Sequence, residues 1–577
     1  MLPQPSLLCK IHAVEGKMKS GVIISICLLV CISIGASGQV ASGRVFEDSN
    51  GNGVLDSNEA GVANVRVSNG TEIVLTGADG AYSLEIDDEA IIFITKPKDY
   101  ATPVNNHNLP QFYYIHQPDG SPEGLRFPGI EPTGPLPQRV NFALQKRQEP
   151  LRFEAILLAD TQPETDAELD YIRDDVVSEL IGTVAKFGMT MGDLLFDDMS
   201  MFPRFNSIVG QVGVPWYNVP GNHELNLSAE NDQYSLETFK RYFGPSYYSF
   251  EYGDAVFIVL DNIFYNGGGE VTADNLRGSG GYVAKFDKAQ LKWLERELSY
   301  IPEDKLIFLA MHSPLKTYVG DHESANTSNR KALFKLLGKR EHLYSVAGHT
   351  HTTEHLYFGK EDGFKGKMPF HHHVLSTVSG SWWSGPFDVR GIPTTDQRDG
   401  TPNGYHILEV DGVAASVRFK AAGQAADYQM RITFDVAQRG HSVDGMRDYR
   451  LGELIDGDMS VDAVPAAAVV VNVFDGGPNT RVSFSVAGRD SIVMQKVFLK
   501  DPLMNEVLQR NKETKKSWVE ALPSSHLWMA DLPDDLTPGT YTVSVQAIDE
   551  FGRSHHAHRI LEIHGTAANK TGLSVFR

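Results

Sequence analysis

Five short polar clusters, each placed directly after an apolar run of strand length, constrain the fold of this chain more than any other feature. The apolar runs are residues 153–159, 189–191, 216–219, 306–311 and 343–347. Helical patterns separate most of these runs, and this alternation predicts a layered α/β arrangement. If the strands lie side by side in sheets, the polar residues after them meet at one edge, where open α/β sheets usually bind ligands.

The clusters contribute carboxylate, amide and imidazole groups. They are Asp160-Thr161-Gln162, Gly192-Asp193, Gly221-Asn222-His223-Glu224, His312 and Gly348-His349-Thr350-His351. Oxygen and nitrogen ligands in this mixture suit divalent ions of intermediate hardness, such as Mn, Fe or Zn. The sequence therefore predicts a centre for two divalent ions with a bridging oxygen ligand between them.

The order of these clusters resembles the calcineurin-like metallophosphoesterases, whose pattern runs D-x-H, G-D, G-N-H-[D/E], H and G-H-x-H. The resemblance implies an α/β fold: a metallophosphoesterase β-sandwich flanked by helices, here between an N-terminal β-sandwich domain and a C-terminal β-rich domain. One position departs from the pattern, because Gln162 stands where the family usually has histidine. Each motif alone is weak, so the assignment depends on finding all of them in order.

The resemblance also implies a role for each matching side chain. Asp160, Gln162 and His351 would bind the first metal, Asn222, His312 and His349 the second, and Asp193 would bridge both. A bridging carboxylate holds two ions about 3.5–4 Å apart, so that a bridging hydroxide can attack phosphorus in line. His223 matches the family histidine that contacts the phosphate and can protonate the leaving oxygen, which makes it the predicted catalytic residue.

Three further predictions concern the surroundings of the metals. Glu224 and Asp197 are expected to orient imidazoles, whereas Asp198 is expected to be an ordinary surface carboxylate. The amide oxygen of Gln162 is a weaker donor than imidazole, so the first site should hold its ion more loosely and favour oxygen-preferring Mn or Mg-like ions.

The predicted function is an exported metal-dependent phosphohydrolase that cleaves phosphomonoesters or phosphodiesters of small molecules. The alternative is a non-catalytic cell-surface binding protein with a vestigial metal site. Retention of every donor argues against that alternative. A formal net charge of −21 disfavours a nucleic-acid scaffold or an anionic lipid surface as partner.

Residues 1–38 read as a leader, with Lys17 and Lys19 before an apolar run and small residues before Gln39. This pattern predicts a periplasmic or extracellular location. A transmembrane anchor is the alternative, but about 13 apolar residues are too few for a hydrocarbon core of roughly 30 Å, so no stable membrane span is expected after removal of the leader. All three cysteines lie in this segment, which excludes disulfides and cysteine-ligated zinc from the mature chain.

Residues 39–144 read as a β-sandwich that resembles prealbumin-like or Sdr B-type domains, through Gly43-Arg44-Val45-Phe46 and a later Gly77-Ala78-Asp79-Gly80 turn. A loop between its first two strands matches the EF-hand calcium loop, which has ligands at positions 1, 3, 5, 7, 9 and 12 and glycine at 6. The matching residues are Asp48, Asn50, Asn52, Val54, Asp56 and Glu59. We favour a structural calcium ion here over a plain polar turn.

The catalytic domain is predicted at 150–370 and a C-terminal β-rich domain at 371–570. Helices are expected at 166–186 and 288–298, and the glycine-rich stretch 266–281 is either a substrate lid or a plain surface loop. Trp382 and Trp383 either alternate along a strand, with one of them free for a ligand, or are both core. The triple histidine at 371–373 is assigned to a strand rather than to a third metal site, because neighbouring strand residues face opposite ways.

Overall fold

A computed structural model of the protein describes residues 38–268, 280–435, 454–455, 457–513 and 515–565. Most of the predicted leader and most of the glycine-rich stretch lie outside the described residues. Within the described ranges, every helix is too short or too polar to span a bilayer.

Residues 39–146 form two sheets that share one core. The strands are β1 Gln39–Glu47, β2 Arg66–Ser68, β3 Ile73–Leu75, β4 Ala81–Ile86, β5 Ala90–Ile94, β6 Tyr100–Ala101, β7 Tyr113–His116 and β8 Phe142–Lys146. One sheet has the order β4-β1-β8-β6 and the other β3-β2-β5-β7. Val45 and Leu84 from the first sheet pack with Val67 and Ile92 from the second, because alternate residues of each strand face inward.

Buried ion pairs join this N-terminal sandwich to the middle of the chain. Arg66 lies 2.8 Å from Glu251 and 3.1 Å from Glu297, and Lys96 pairs with Glu149. Arg66, Glu297, Lys96 and Glu149 are almost excluded from water, so removal of a partner from either of these pairs would leave a buried charge, which typically costs about 3–5 kcal/mol.

The middle of the chain contributes two further sheets and a short hairpin. Its strands are β9 Arg152–Leu158, β10 Gly188–Thr190, β11 Trp216–Asn218, β12 Tyr248–Tyr252, β13 Ala255–Val259, β14 Ile263–Tyr265, β15 Tyr282–Ala284, β16 Leu306–Ala310, β17 Leu343–Ala347, β18 Glu354–Phe358, β19 Phe370–Val374, β20 Gly404–Asp411 and β21 Ala414–Ala421. The sheets have the orders β11-β10-β9-β20-β21 and β12-β13-β16-β17-β19-β18. In the first sheet β9, β10 and β11 run parallel, and in the second β13, β16, β17 and β19 do.

The two sheets pack face to face and helices cover their outer sides. Along β9, Ala155 and Leu157 face the inter-sheet core, whereas Ile156 and Leu158 face the helices. The helices are α1 Asp166–Tyr171, which continues through a π-helical turn at Ile172–Val177 into α2 Ser178–Leu180, then α3 Phe202–Val209, α4 Glu237–Phe243, α5 Lys288–Tyr300 and α6 Arg330–Leu337. The α/β fold predicted from the sequence, a β-sandwich flanked by helices, is therefore confirmed.

Two of the predicted helices can be compared in detail. The helix expected at 166–186 ends at Leu180, and Gly182 follows with a φ of +79°, which no helix continues through. The second helix begins after Asp287, whose carboxylate accepts the backbone N–H of Ala289 at 2.7 Å, as an N-cap residue does.

The remaining described residues form a second sandwich. Its elements are β22 Met430–Asp435, β23 Leu454–Ile455, β24 Asp458–Ser460, β25 Ala468–Val473, β26 Arg481–Val486, β27 Ile492–Val493, β28 Gln495–Lys500, α7 Pro502–Arg510, β29 Pro523–Asp531, β30 Gly539–Ile548 and β31 Ser554–His564. Its sheets have the orders β23-β22-β25-β29-β28 and β24-β31-β30-β26-β27. Phe434, Val471, Phe484 and Val545 lie in their shared core.

The sheets of the middle region continue past the domain boundary predicted at residue 370. Strand β19 pairs with β17, and β20 pairs antiparallel with β9 over residues 406–411, so both belong to the catalytic sheets. Leu408 and Val410 on β20 complete the inter-sheet core. The catalytic fold therefore extends to Ala421, and the C-terminal sandwich begins at Met430.

Candidate dinuclear metal centre

The predicted metal ligands follow the carboxyl ends of parallel strands in both catalytic sheets. Asp160 and Gln162 come after β9, Asp193 after β10 and Asn222 after β11. His312 follows β16, and His349 and His351 follow β17 in the facing sheet. The structure brings all of them together at one edge of the two sheets, although their roles as metal ligands stay predictions.

The backbone at this edge is unusual. Asp160, Gln162, Asp193, His349 and His351 have φ angles of +45°, +37°, +50°, +77° and +51°. Such left-handed conformations are disfavoured for side chains other than glycine and cluster at functional sites, where the surrounding fold holds them. Here all five residues lie in the loops that follow β9, β10 and β17.

One half of the centre is built around His312. Its Nε2 lies 3.1 Å from Asn222 Oδ1, 3.2 Å from Asp193 Oδ1 and 3.2 Å from His349 Nδ1. On the other side of the ring, Nδ1 donates to the carbonyl oxygen of Met191 at 2.8 Å, which directs Nε2 toward the cluster. The four side chains are thus already within the spacing of shared metal ligands. Burial lowers the pKa of His312, but Asp193 and Asp160 outweigh it and raise that pKa to about 9.

The other half contains Asp160, Gln162 and His351. His351 Nε2 lies 3.7 Å from Asp160 Oδ1, and Gln162 Nε2 donates to Asp193 Oδ2 at 2.7 Å. Both oxygens of Asp160 accept the backbone N–H of His349 at 2.9 Å, which joins the two strand-end loops. This half therefore shares Asp193 with the half around His312.

Two buried polar atoms that lack hydrogen-bond partners indicate whether divalent ions fit this site. Gln162 Oε1 and His351 Nε2 are buried and have no hydrogen-bond partner within the described part of the chain. Buried polar atoms are rarely left without a partner, and both are atoms that bind metals. The donor set and these two unsatisfied atoms fit a pair of divalent ions. The identity of the metals stays a prediction.

Burial sets the protonation of two of the predicted histidine ligands. It lowers the pKa of His349 and of His351 to about 3, so both rings are neutral, which is the form that binds metal. Burial raises the pKa of Asp160 to about 7, a rise that His312 opposes. Burial also acts to raise the pKa of Asp193, but His312 and His223 outweigh it and hold that pKa well below its usual range.

The predicted acid, His223, lies beside the cluster and is partly open to solvent. Its Nδ1 is 2.6 Å from Asp197 Oδ1, and its Nε2 is 3.8 Å from Asp193 Oδ2. Phe196 stacks on the ring with centroids 4.7 Å apart. Burial lowers the pKa of His223, but Asp193 and Asp197 together raise it to about 9, which favours the protonated form that a general acid needs.

Glu224 does not orient an imidazole as the sequence suggested. Its buried carboxylate accepts backbone N–H groups from Gly221 and Asp193 on Oε2 and from Leu194 on Oε1, at 2.8–2.9 Å. It therefore ties the loop after β10 to the loop after β11. Burial and the Asp193 carboxylate raise the pKa of Glu224 to about 8, and the N–H donors oppose that rise. Asp198 accepts from Ser200 as a local cap.

The tryptophan pair lies in a turn rather than on a strand, and of the two alternatives the structure keeps one buried and one partly exposed ring. Trp382 and Trp383 have φ angles of +53° and +55°. Trp383 is buried and donates from Nε1 to the carbonyl oxygen of Thr161 at 3.2 Å. Trp382 is partly exposed and stacks on His351 with centroids 3.8 Å apart. One ring thus supports the loop after β9, while the other covers a predicted ligand.

Sequence reasoning missed the contribution of the C-terminal region to this site. In the segment between α7 and β29, Trp518 is 45% exposed and stacks on Phe196 at 5.9 Å. Lys516 lies 2.8 Å from Glu164 and 3.0 Å from Glu168, beside the same aromatic rings. No local motif marks these residues, because they meet the centre only through packing of distant segments.

The predicted calcium loop curls inward as a polar turn. Asp48 accepts the backbone N–H groups of Gly51 and Gly53, and Glu59 reaches back to accept from Ser49 at 2.9 Å. Asn50 and Asn52 both donate to Asp56. Calcium binding at this loop stays a prediction.

Comparison with known families covers the three regions separately. Residues 156–353 match the model described as calcineurin-like phosphoesterase. Residues 49–130 match the model for the N-terminal part of calcineurin-like phosphoesterases, and residues 372–555 match the model for the C-terminal part. The C-terminal match includes most of β19 and all of β20 and β21, which pair with the sheets of the middle region.

Individual relatives are more distant. A probable glycerophosphodiester phosphodiesterase of Arcobacter nitrofigilis is 28% identical over 176 residues, which is 30% of this chain and 59% of that protein. A dimetal phosphatase from Danio rerio is 15% identical and has a TM-score of 0.31, over 47% of this chain and 96% of the other. A purple acid phosphatase from yellow lupin (Lupinus luteus) seeds is 13% identical, with a TM-score of 0.34 and 66% of each chain covered.

The family prediction made from the motifs is confirmed by these matches, since the catalytic model and both of its companion models align in chain order. The strand-end ligands fall within the residues that the catalytic model covers, from Asp160 to His351. The chain belongs to the calcineurin-like phosphoesterases, of the type with dedicated N-terminal and C-terminal domains.

Proposed function

We propose that this protein is an exported phosphohydrolase that cleaves a small phosphomonoester or phosphodiester with the help of two divalent ions. The observation that carries the proposal is the convergence of Asp193, Asn222 and His349 on His312, at 3.1–3.2 Å, with His223 beside them. Family membership supports the reaction type. The Arcobacter relative, described as a probable glycerophosphodiester phosphodiesterase, supports a diester as the first substrate to test.

The chain offers two sets of ligands that share one carboxylate. Asp160, Gln162 and His351 would hold one ion, Asn222, His312 and His349 the other, and Asp193 would bridge them. When bound, the ions neutralise the charge of the phosphate and lower the pKa of water so that it can act as a nucleophile. The neutral imidazoles of His349 and His351 require no deprotonation before they bind, whereas His312, whose pKa is raised, would lose a proton to the solvent on binding.

His223 is placed to move the proton. Its Nε2 faces the centre, and Asp197 holds Nδ1 at 2.6 Å, which orients the ring. Donation of the Nε2 proton to the leaving oxygen avoids expulsion of an alkoxide, a contribution typically worth about 10²–10⁴-fold in rate. Phe196 stacks on the ring and restricts its rotation.

The rings of Trp382 and Trp518 form an aromatic wall next to the centre. Their centroids are 6.4 Å apart in an edge-to-face arrangement, and Trp518 keeps 45% of its surface exposed. We assign this wall to contact with the leaving group of the substrate.

Trp518→Ala should raise KM for substrates with an apolar or planar leaving group and leave kcat nearly unchanged. The matched control is Phe387→Ala, at a ring that is 65% exposed.

Hydrolysis of a phosphoester panel tests the proposed activity. The panel contains p-nitrophenyl phosphate, bis-p-nitrophenyl phosphate and glycerophosphodiesters, each assayed after chelation and after addition of Mn, Zn, Fe or Mg. We expect metal-dependent turnover of at least one substrate in the wild type and none in Asp193→Ala. Absence of turnover with every metal, in protein that binds two ions, would favour the alternative of a non-catalytic surface protein.

Export and calcium binding complete the proposal. Mass spectrometry of the protein purified from a periplasmic fraction should show a chain that begins near Gln39. Calcium should raise the unfolding temperature of the wild type, and Glu59→Ala should remove that shift, because residue 12 of such a loop provides the bidentate ligand. A full-length chain in the cytoplasm would contradict export. A calcium-dependent shift that survives in Glu59→Ala would contradict calcium binding at this loop.

A further inference from the structure

A second group of ligand-type side chains lies where the catalytic sheets meet the C-terminal sandwich. We call it the junction cluster: His355 on β18, His373 on β19, His406 on β20, and Asp475, which follows β25. None of these residues belongs to the predicted dinuclear centre. Three come from catalytic strands in both sheets, and the fourth comes from the C-terminal sandwich.

The imidazoles converge on one carboxylate oxygen. Asp475 Oδ1 lies 2.8 Å from His373 Nε2, 3.2 Å from His355 Nε2 and 3.6 Å from His406 Nε2. Ligand atoms of His355, His373 and Asp475 all fall within 4.8 Å of one another, which is the spacing of atoms bound to one ion. His373 and His406 are completely buried, and His355 is 6% exposed.

Hydrogen bonds alone leave this group unsatisfied. Neither ring nitrogen of His406 has a hydrogen-bond partner among the described residues, although the side chain is completely buried. A buried imidazole without partners is costly, and such a group usually indicates a water or an ion at the site. The Nε2 of His406 is directed at the same carboxylate oxygen as the two other rings.

The outer nitrogens of the two remaining rings are already occupied. His373 Nδ1 lies 3.0 Å from the Tyr344 hydroxyl, and His355 Nδ1 lies 2.9 Å from His371 Nε2. Without an ion, Nε2 of each ring is hydrogen-bonded to Asp475 Oδ1. When Nδ1 donates to its outer partner instead, Nε2 is free of its proton and can bind an ion that Asp475 also binds. This is the arrangement that orients histidine ligands in metal sites.

We propose that His355, His373, His406 and Asp475 bind a structural zinc ion that joins the C-terminal sandwich to the catalytic sheets. Imidazole nitrogen and carboxylate oxygen are normal zinc ligands, and four protein ligands with no open position define a structural rather than a catalytic site. Alternation along β19 accounts for the geometry, since His373 faces the cluster while His372 on the opposite face bonds Ser345 and Leu315.

Metal content of the full-length protein tests the assignment. After loading with zinc and removal of free ion, the wild type should retain three zinc ions per chain and Asp475→Asn two. A double variant, Asp193→Ala with His312→Ala, should retain one. His558→Gln, which removes an exposed surface histidine, serves as the control and should bind as the wild type does. Retention of as many ions by Asp475→Asn as by the wild type would overturn the proposal.

Cobalt substitution provides a measurement that does not depend on whether Asp475→Asn folds. In the double variant that lacks Asp193 and His312, a single bound Co²⁺ should show the intense visible absorption of a four-coordinate site. Zinc should raise the unfolding temperature of this double variant. An octahedral spectrum, or no zinc-dependent shift, would mean that water and hydrogen bonds alone complete the junction cluster.

Discussion

Replacement of Glu224 by glutamine tests how the two halves of the predicted metal centre are held in place. The carboxylate is fully buried and accepts backbone N–H groups on both oxygens. Oε2 accepts from Asp193 at 2.9 Å and Gly221 at 2.8 Å, whereas Oε1 accepts from Leu194 at 2.9 Å and Leu195 at 3.3 Å. The side chain therefore fixes the loop after β10, which carries Asp193, against the loop after β11, which carries Glu224 itself.

The expected magnitude follows from the acceptors that are lost. Glutamine keeps one acceptor oxygen and presents an NH₂ group in place of the other, so two backbone N–H groups lose their acceptor whichever way the amide turns. A buried donor without a partner costs about 1–3 kcal/mol, so Glu224→Gln should lower the stability of the catalytic fold by about 2–6 kcal/mol. Metal affinity should fall by about 10–100-fold, as it does when groups that position metal ligands are removed.

Three measurements check this prediction: calorimetric unfolding, metal titration, and hydrogen exchange of the peptide at 188–198, which should become faster. Glu297→Gln is the matched control, because Glu297 is equally buried but bonds Ser249 and Arg66 instead. The control should lose stability and keep its metal affinity. Wild-type exchange and wild-type metal affinity in Glu224→Gln would refute the reasoning, since the loops would then be held by other contacts.

Three further substitutions probe the predicted ligands and the acid. Asp193→Ala should abolish hydrolysis and at least one bound metal, because it removes the shared carboxylate; full activity with two metals would contradict the bridge. His223→Ala should lower kcat by about 10²-fold or more with metal content intact, and less for substrates with good leaving groups. If metal is lost instead, His223 is a ligand. Gln162→His should tighten the first metal and shift its preference toward Zn or Fe, because imidazole is the stronger donor. Identical metal titrations of variant and wild type would show that Gln162 does not touch the ion.

Local patterns in the sequence were sufficient to predict most of what lies at the strand ends. The runs before Asp160, Asp193 and His312 are buried β-strands in the structure, with bounds that differ from the predicted ones by a residue. Strand identity is readable in this way because burial on both faces requires continuous apolar residues.

Contacts between distant segments explain the predictions that failed. Residues 404–421 carry the same alternation as the strands of the C-terminal sandwich, so no local feature shows that β20 pairs with β9, about 250 residues earlier. The tryptophan pair is compatible with a strand in sequence, whereas in the structure its residues have positive φ angles and contact Thr161 and His351.

The amino-acid sequence by itself determined the chemistry of the centre: which donors are present, in what order, and after which strands. The tertiary structure decided which donors lie around the carboxylate of Asp193. It also decided that Glu224 binds backbone N–H groups rather than an imidazole, and that Trp518 lies beside the site. It also brought His355, His373 and His406 to Asp475 of another sandwich. The physical reason is that strand identity depends on neighbours along the chain, whereas strand partners and buried polar contacts depend on which distant surfaces exclude water together.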